Sequence, residues 1–252
     1  MTDVAEGREW ILPDAQAVAR RVAEFLFERA RAKPGDAPYV IALSGGSTPK
    51  RLYEILAAAP FATEFPWSRL ELFFGDERFV PPDSADSNYN MVNRALLSHV
   101  PVPSERVHRM PAEGDPAQAA RSYQRELRAV YGSDALQPGR PLFDVVLLGL
   151  GENGHTASLF PGTAVLEERT AWVSTCTPHD APHRRLTLTY PAIHSSAYVL
   201  FLVTGAGKAE VLGKVRARDP AQPSSHITTE GELVWVLDEA AAGKSDAEKR
   251  DG

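Results

Sequence analysis

The sequence predicts a three-layer α/β/α fold around a mainly parallel, Rossmann-like sheet. Short apolar runs alternate with amphipathic stretches along the 252 residues. Most of these runs are apolar throughout, which is typical of strands covered by helices on both faces of a parallel sheet. No repeat or low-complexity segment breaks the pattern. We therefore expect a single α/β domain over residues 1–240, followed by a polar, frayed tail over 241–252.

The expected helices follow from apolar residues at helical spacing and from capping signals. Asp14 is a candidate N-cap for the first helix, and Thr48 for the second, with Pro49 as its first residue. Asp115 is the candidate N-cap of a later helix that ends before Gly132. The five expected helices cover residues 15–32, 49–58, 87–100, 116–131 and 207–217.

The expected strands are apolar runs bounded by polar or glycine-bearing loops. "PYVIAL", "LELFF" and "FDVVLL" are continuously apolar, whereas "RLTLTY" alternates leucine with threonine. The six expected strands cover residues 38–43, 70–74, 143–148, 185–190, 198–203 and 233–237.

Composition restricts the partners and the compartment. A formal net charge of -6 argues against nucleic acid or an anionic membrane as the main partner. The single cysteine, Cys176, excludes an intrachain disulfide framework and a cysteine cluster for zinc. The N-terminus is acidic without an apolar signal core, and no apolar run approaches the ~20 residues that span a bilayer. We expect a cytoplasmic protein, a monomer or weak homodimer, with a small-molecule substrate.

Polar, glycine-bearing loops follow four of the expected strands. They are "SGGSTP" at 44–49, "GDERFVPPDSADSN" at 75–88, "GLGENGH" at 149–155 and "TGAGK" at 204–208. Ligands of open α/β sheets bind outside the carboxyl ends of the strands. Each loop alone is a weak signal, but four loops on one edge predict a single site.

The first loop, formed by Ser44, Gly45, Gly46, Ser47 and Thr48, has two interpretations. Its glycines could make only a tight turn. Alternatively, its backbone N–H groups and the N-terminus of the following helix bind an anionic oxygen. We favour the second, although "SGGSTP" matches neither a Walker P-loop nor the G-x-G-x-x-G pattern of dinucleotide sites.

Three cations are candidates for binding an anion. Arg78 could pair with its neighbours in "GDER", but surface pairs contribute only ~0–1 kcal/mol and give little reason for three charges at a strand end. Lys208 lies in the first turn of an expected helix, where cations are disfavoured, so an anionic partner would account for it. Arg185, taken alone, is more typical of a surface residue.

His155 is the candidate acid/base residue because it stands in a glycine turn at the end of a buried strand. Neutral histidine, with an ordinary pKa of ~6.5, is a suitable general base. Ser44 or Ser47 is conceivable as a nucleophile, but no orienting acid is evident, and Cys–His, H-E-x-x-H and G-x-S-x-G patterns are missing. Histidines without ligand spacing, which we interpret as non-catalytic, are His99, His108, His179, His183 and His226.

From the residues alone, the chain is predicted to be an α/β enzyme that acts on a small phosphorylated metabolite. Its motifs also resemble, in order, those of the 6-phosphogluconolactonases: "ALSGGSTP", "FFGDERFVP", "LLGLGENGHTASLFPG", "RLTLTYPAI" and "VTGAGKAEVL". The likeness extends from about residue 38 to about residue 240. It implies hydrolysis of 6-phospho-D-glucono-1,5-lactone in the oxidative pentose phosphate pathway. The implied fold is that shared with glucosamine-6-phosphate deaminases, ribose-5-phosphate isomerases and CoA transferases, without metal or cofactor.

The resemblance also implies roles for individual residues. His155 would be the general base that activates water against the lactone carbonyl. The phosphate would be held by Arg78, Arg185 and Lys208, with the 44–48 loop close to the substrate. The residues expected to shape the sugar site or support the base are Asp76, Asn88, Asn153, Gly154 and Thr156.

Two positions depart from the family pattern. The family usually has Asp-Gly-His in the central motif, whereas this chain has Asn153-Gly154-His155. If that acid orients or charges the histidine in relatives, a neutral amide leaves the imidazole less basic here. His194 stands where the family commonly has Asn, and the sequence assigns it no role.

Two alternatives use the same fold. A glucosamine-6-phosphate deaminase or isomerase needs carboxylates to move protons between C1 and C2, but its motif has a Glu where this chain has Phe160. A non-catalytic sugar-phosphate sensor usually carries an additional DNA-binding domain, for which we expect no room in this chain. A direct lactonase assay separates the three functions.

Overall fold

The protein has one large sheet and one small sheet. The computed structural model describes residues 7–243. Its strands are β1 (Arg8–Leu12), β2 (Tyr39–Leu43), β3 (Leu70–Phe74), β4 (Asp76–Arg78), β5 (Val107–His108), β6 (Phe143–Leu148), β7 (Val173–Cys176), β8 (Arg185–Leu188), β9 (Ser196–Val203) and β10 (Glu232–Asp238). Its helices are α1 (Ala15–Ala32), α2 (Ser47–Leu56), α3 (Phe61–Glu64), α4 (Asn88–Ala95), α5 (Pro116–Tyr131), α6 (Tyr190–His194), α7 (Ala209–Arg216) and α8 (Glu239–Ala242).

The large sheet is parallel throughout, in the order β1-β10-β9-β6-β2-β3-β5. Its central strands are almost fully buried: Val145, Val146 and Leu147 of β6 are 0% exposed. Helix α1 buries Val18, Val22 and Leu26 at the predicted helical spacing. Burial of each such side chain stabilises the fold by about 1.5–3 kcal/mol. The predicted α/β fold with a mainly parallel sheet is confirmed.

The direction of strand addition reverses between β2 and β6. From β2 the chain proceeds outward through β3 and β5, returns to β6, and proceeds the other way through β9 and β10. Such a reversal leaves a crevice at the carboxyl ends of the two central strands, where ligands of open α/β sheets bind. The four loops predicted to form a site follow β2, β3, β6 and β9, which are neighbours in the sheet.

The small antiparallel sheet was not predicted. It has the order β4-β8-β7, and β4 follows β3 with only Gly75 between them. Gly75 donates its N–H to Leu43 of the large sheet and accepts from Leu188 of the small sheet, each at 2.8 Å. One residue therefore joins the two sheets. The strand expected over 185–190 is confirmed only for Arg185–Leu188, which lies in this second sheet, because Tyr190 already begins α6.

Several predicted helix ends are confirmed and others are wrong. Asp14 accepts from the N–H of Ala17 at 2.8 Å, and Asp115 caps α5 as expected. The prediction for α2 is wrong, because the helix begins at Ser47 after Gly46 and has no side-chain cap. The side chain of Thr48, the expected cap, is hydrogen-bonded elsewhere. Helix α4 ends at residue 95 rather than 100, because a 3-10 turn over 97–99 takes over.

The predicted tail boundary at residue 241 falls inside α8. Ala241 is fully buried there, and Gly243 ends the helix in a left-handed conformation. The rest of the expected tail lies outside the described residues. Within the described range, no helix is long and apolar enough to cross a membrane.

Candidate active site

A cavity of about 650 Å³ lies at the carboxyl ends of β2, β3, β6 and β9. Four loops far apart in the chain form its wall, as the sequence predicted. The predicted site residues that line it are Ser44, Gly45, Gly46, Ser47, Thr48, Asp76, Arg78, Asn88, Asn153, His155, Thr156 and Lys208. Arg185 and Gly154 are not among the residues that line it.

The imidazole of His155 is held by its own loop. Its Nδ1 lies 2.5 Å from Oδ1 of Asn153, and its ring stacks on Phe160 with the centroids 4.1 Å apart. A Cβ atom on Gly151 would come within 2.0 Å of Nδ1, so a side chain at position 151 would push the ring out of place. The absence of a side chain at Gly151 therefore provides the space that the imidazole occupies.

The hydrogen bonds of Asn153 determine the tautomer of His155. The backbone N–H of His155 donates to Oδ1 of Asn153 at 3.2 Å, and an N–H group can face only an acceptor. Oδ1 is also the atom that faces Nδ1, so Nδ1 must carry the proton and donate to it. Nε2 is then the unprotonated nitrogen, with a lone pair for a proton from the cavity.

The surroundings of His155 favour the neutral imidazole. Burial lowers the pKa of His155 to about 4, the nearby carboxylate of Asp76 opposes this shift, and the cations Lys208, Arg185 and Arg78 add to it. The ordinary histidine pKa expected from sequence is therefore too high for this position. At neutral pH His155 is a base.

Two arginines stand opposite each other in the small sheet. Arg78 of β4 is in register with Arg185 of β8, and like charges in such a pair are destabilising. Arg185 is 6% exposed, and burial followed by the charge of Arg78 lowers its pKa. The Nε atoms of both residues are buried and lack a hydrogen-bond partner within the described structure. An anion between the two arginines would reduce the repulsion of their charges and give the Nε–H groups an acceptor.

Neither arginine is neutralised by a carboxylate. The ion pairs found over residues 7–243 do not include Arg78, Arg185 or Lys208. Arg78 donates to the backbone oxygen of Asp86 at 2.7 Å, which orients the guanidinium without a carboxylate at ion-pair distance. These cations lie at a cavity whose wall also carries the acidic side chains of Asp76, Glu152 and Asp180.

Glu77 is a positioning residue that the sequence did not reveal. It is 3% exposed, and burial raises its pKa. Its carboxylate accepts from the N–H groups of Arg78, Asn88 and Tyr89 and from the hydroxyl of Ser87. It therefore joins β4 to the start of α4 and fixes the position of Arg78 relative to Asn88. The position of Glu77 in "GDER" was the available signal for this role, but the sequence suggested only a possible ion pair with Arg78.

The other acid of that motif, Asp76, belongs to the cavity wall. Its Oδ2 accepts from the hydroxyl of Ser158 at 2.6 Å, and its Oδ1 accepts from the amide of Asn88 at 3.2 Å. These bonds fix the carboxylate beside His155. Thr156 also lines the cavity, and its buried hydroxyl has no partner in the described part of the chain.

The 44–48 loop presents the N-terminus of α2 to the cavity. Tyr53 holds the loop by donating to the carbonyl of Ser44 at 2.8 Å and accepting its N–H at 3.0 Å. The hydroxyl of Thr48 bonds that of Thr204 at 2.7 Å, which joins this loop to the end of β9. Because α2 has no side-chain cap, its first N–H groups are available to an anionic oxygen.

The chemistry available in the cavity is that of hydrogen-bond donors, cations, the imidazole of His155 and the carboxylates of Asp76, Glu152 and Asp180. Among residues 7–243, no group of three or more His, Cys, Asp or Glu side chains could hold a metal ion. The fold and this site define an α/β enzyme with a cavity suited to a small anion.

Comparisons with known proteins identify the family. The family model described as glucosamine-6-phosphate isomerases/6-phosphogluconolactonase matches residues 13–235. A 6-phosphogluconolactonase of Nostoc sp. is 41% identical over 93% of this chain and 96% of its own length. One of Synechocystis sp. is 42% identical over 89% of each chain. The solved 6-phosphogluconolactonase of Trypanosoma cruzi is 30% identical, with a TM-score of 0.84 over 96% of this chain and 97% of its own.

The chain therefore belongs to the glucosamine-6-phosphate isomerase/6-phosphogluconolactonase family. The resemblance predicted from the five motifs is confirmed, as is the fold that this family shares.

Proposed function

We propose that the protein hydrolyses 6-phospho-D-glucono-1,5-lactone to 6-phospho-D-gluconate in the oxidative pentose phosphate pathway. The observation that carries the proposal is one neutral base, His155, at a cavity lined by the cations Arg78 and Lys208, with Arg185 in register beside Arg78. A phosphorylated lactone needs both: a base for water at one end and positive charge at the other. The confirmed family and its lactonase members support the same reaction.

Nε2 of His155 takes a proton from a water molecule as the water oxygen forms a bond to the lactone carbonyl carbon. The carbonyl oxygen becomes the oxyanion of a tetrahedral intermediate. The imidazolium then returns its proton to the ring oxygen as the carbon–oxygen bond of the ring breaks, and the acid product ionises into solvent. Asn153 keeps the proton of Nδ1 in place throughout, so Nε2 is the atom that exchanges protons.

The cations hold the phosphate and so position the reacting carbon. Arg78 and Lys208 line the cavity, and Arg185 lies beside Arg78 in register. Binding energy from a phosphate remote from the reaction can be used to orient the carbonyl against the base. The uncapped N–H groups of α2 and the hydroxyl of Thr156 are the candidate donors to an anionic oxygen.

The experiment is a direct lactonase assay with a matched unphosphorylated substrate. Rates are corrected for spontaneous lactone hydrolysis. We expect efficient turnover of the 6-phosphate and a kcat/KM for gluconolactone that is lower by roughly 10- to 150-fold, the equivalent of one charge-assisted hydrogen bond. Equal efficiency on the two substrates would exclude the phosphate clamp, and turnover no faster than the blank would exclude the lactonase function.

The deaminase alternative is less well supported. The position where that branch carries a Glu is Phe160, whose ring packs against the imidazole of His155. Asp76, a carboxylate beside the base, is already bound by Ser158 and Asn88. A non-catalytic sensor would bind 6-phosphogluconate but leave the lactone at the blank rate, so the same assay tests it.

Three further properties stay proposals. The protein is cytoplasmic, acts as a monomer or weak homodimer, and needs no metal or cofactor. The last is tested by dialysis against EDTA, after which we expect unchanged activity; a loss restored by a divalent ion would contradict it.

A further inference from the structure

The turn that carries His155 is anchored by a residue far along the chain. The carbonyl of Gly154 accepts two hydrogen bonds from Ser224, one from its N–H at 3.0 Å and one from its hydroxyl at 2.8 Å. Ser224 is 70 residues away in sequence and is 2% exposed. No signal in the sequence connects the two positions.

Gly154 suits this contact in two ways. Its φ of 75° is in the left-handed region, where residues with a Cβ are strained. A Cβ there would also come within 2.0 Å of Oε1 of Gln222, which lies two residues before Ser224. The segment 222–224 therefore lies directly against the turn and leaves no space for another residue at position 154.

The carbonyl that Ser224 binds is part of the peptide that supplies the N–H of His155. Two donors on that carbonyl fix the peptide plane and polarise it, which strengthens the bond from the N–H to Oδ1 of Asn153. The same Oδ1 accepts the proton of Nδ1. An unbroken series of hydrogen bonds thus leads from Ser224, through one peptide group and Asn153, to the imidazole.

Residues 223–226 are also hydrogen-bonded to α6, the helix that follows β8. Tyr190 donates its hydroxyl to the carbonyl of Pro223 at 2.9 Å, and Nε2 of His194 donates to the carbonyl of His226 at 3.2 Å. Both donors are on α6, which follows β8 and its Arg185. This also assigns a place to His194, which the sequence left open.

We infer that Ser224 is a positioning residue for the base: by holding the Gly154 carbonyl it fixes the Nδ1–H tautomer and the direction of Nε2 in His155. The inference rests on the proposed function for its effect on rate, but the tautomer is a property of the free protein. It extends the site to a segment that does not line the cavity.

The test compares Ser224→Ala with Ser225→Ala. The neighbouring Ser225 hydroxyl is buried and has no partner in the described structure, so it is a matched control. The imidazole nitrogen signals in a ¹⁵N NMR spectrum report the tautomer, and those of His155 are assigned as the signals missing from His155→Gln. We expect the Nδ1–H form in the wild type and in Ser225→Ala, and a mixture of both tautomers in Ser224→Ala.

For turnover, Ser224→Ala should lower kcat roughly 2- to 12-fold, which corresponds to one neutral hydrogen bond, with KM within about twofold of the wild type. An unchanged tautomer in Ser224→Ala overturns the inference whatever happens to kcat, and so does a changed tautomer with wild-type kcat. If Ser224→Ala does not fold, Ser224→Cys, which has a weaker donor of similar size, is judged by the same criteria. A wild type that does not hydrolyse the lactone contradicts the proposed function instead, and the tautomer measurement stands.

Discussion

Two groups of side chains in this protein contain a histidine and arginine. In one group the cations are paired with carboxylates, and in the other they are not. At the edge of the large sheet, Nε2 of His108 lies 2.7 Å from Oε2 of Glu71. The other carboxylate oxygen of Glu71 accepts from Nη1 of Arg106 at 2.7 Å. Burial alone would lower the pKa of His108, but hydrogen bonds with Glu126 and Glu71 outweigh it and raise the pKa. At the cavity, Arg78, Arg185 and Lys208 lack carboxylate partners in the described chain, and the pKa of His155 is lowered.

The difference shows how a structural charge cluster is distinguished from a binding site. The edge cluster pairs each cation with an anion, so it is complete without a ligand. The small sheet beside the cavity places Arg78 and Arg185 opposite each other, which costs stability unless an anion lies between them. The first group should matter for stability and the second for activity, and substitutions in each group test that division.

The largest expected effect is that of His155→Ala on turnover. General-base catalysis contributes about 10²–10⁴-fold, so kcat should fall by that factor while affinity for 6-phosphogluconate changes only a few-fold. His108→Gln is the matched control and should keep wild-type kcat. Initial rates on the lactone, corrected for the blank, provide the measurement. Near-normal turnover by His155→Ala would mean that the residue is only part of the turn.

The second comparison is between Arg185→Met and Arg106→Met. Arg185→Met should lower kcat/KM by roughly 10- to 150-fold, because a charge-assisted hydrogen bond is worth ~1.5–3 kcal/mol. The free protein should be no less stable, since a buried like charge opposite Arg78 is removed. Arg106→Met should keep its activity and lose up to ~1 kcal/mol of unfolding free energy.

Thermal melting with and without inorganic phosphate completes this comparison. Phosphate that binds only the folded protein raises the melting temperature, and the increase should be smaller in Arg185→Met but unchanged in Arg106→Met. Equal phosphate effects in the two variants would show that the arginine pair is not an anion site.

Local signals in the sequence were sufficient for much of this picture. The apolar runs correctly located the central strands, and because parallel strands end at one edge, the loops after β2, β3, β6 and β9 could be placed together from the sequence alone. Capping by Asp14 and Asp115 was also predictable, since an N-cap depends on residues within one turn.

What could not be predicted depends on contacts between distant segments. The small sheet pairs β4 with β8, about a hundred residues apart, and only that pairing brings Arg185 beside Arg78. Ser224 reaches Gly154 in the same way. The pKa of His155 depends on burial and on charges from other segments of the chain, namely Asp76, Lys208, Arg185 and Arg78, so its sequence neighbours could not indicate it. Interactions of this kind have no local pattern.

A more moderate effect is expected from Asn153→Asp, which gives the cavity base the kind of partner that His108 has. A carboxylate at hydrogen-bond distance favours the imidazolium and should raise the pKa of His155 by about one unit or more. In the proposed mechanism the neutral imidazole is the active form, so kcat/KM of the wild type should fall only as the pH drops toward 4, and that of the variant should fall at a higher pH.

The substrate phosphate also titrates, with a second pKa of ~6, so the two proteins are compared over the same pH range and buffers. Asn153→Ala is the control, because it removes the hydrogen bond to His155 without adding a charge. It should therefore not shift the fall of kcat/KM to higher pH through a carboxylate partner. Superimposable pH profiles for the wild type and Asn153→Asp would show that the side chain at position 153 does not set the basicity of His155.

The smallest expected effect is on stability, from His108→Gln. Because the pKa of His108 is raised in the folded protein, its ion pairs with Glu71 and Glu126 stabilise the fold fully below the unfolded pKa of ~6.5, and this contribution is lost as the pH rises through the folded pKa. His108→Gln should therefore lower the free energy of unfolding by about 0.5–1.5 kcal/mol near pH 6 and by less near pH 9. Urea unfolding of both proteins at the two pH values measures this difference. A loss of equal size at both pH values would mean that His108 contributes through the stacking of its ring on Phe73, 4.2 Å away, rather than through its charge.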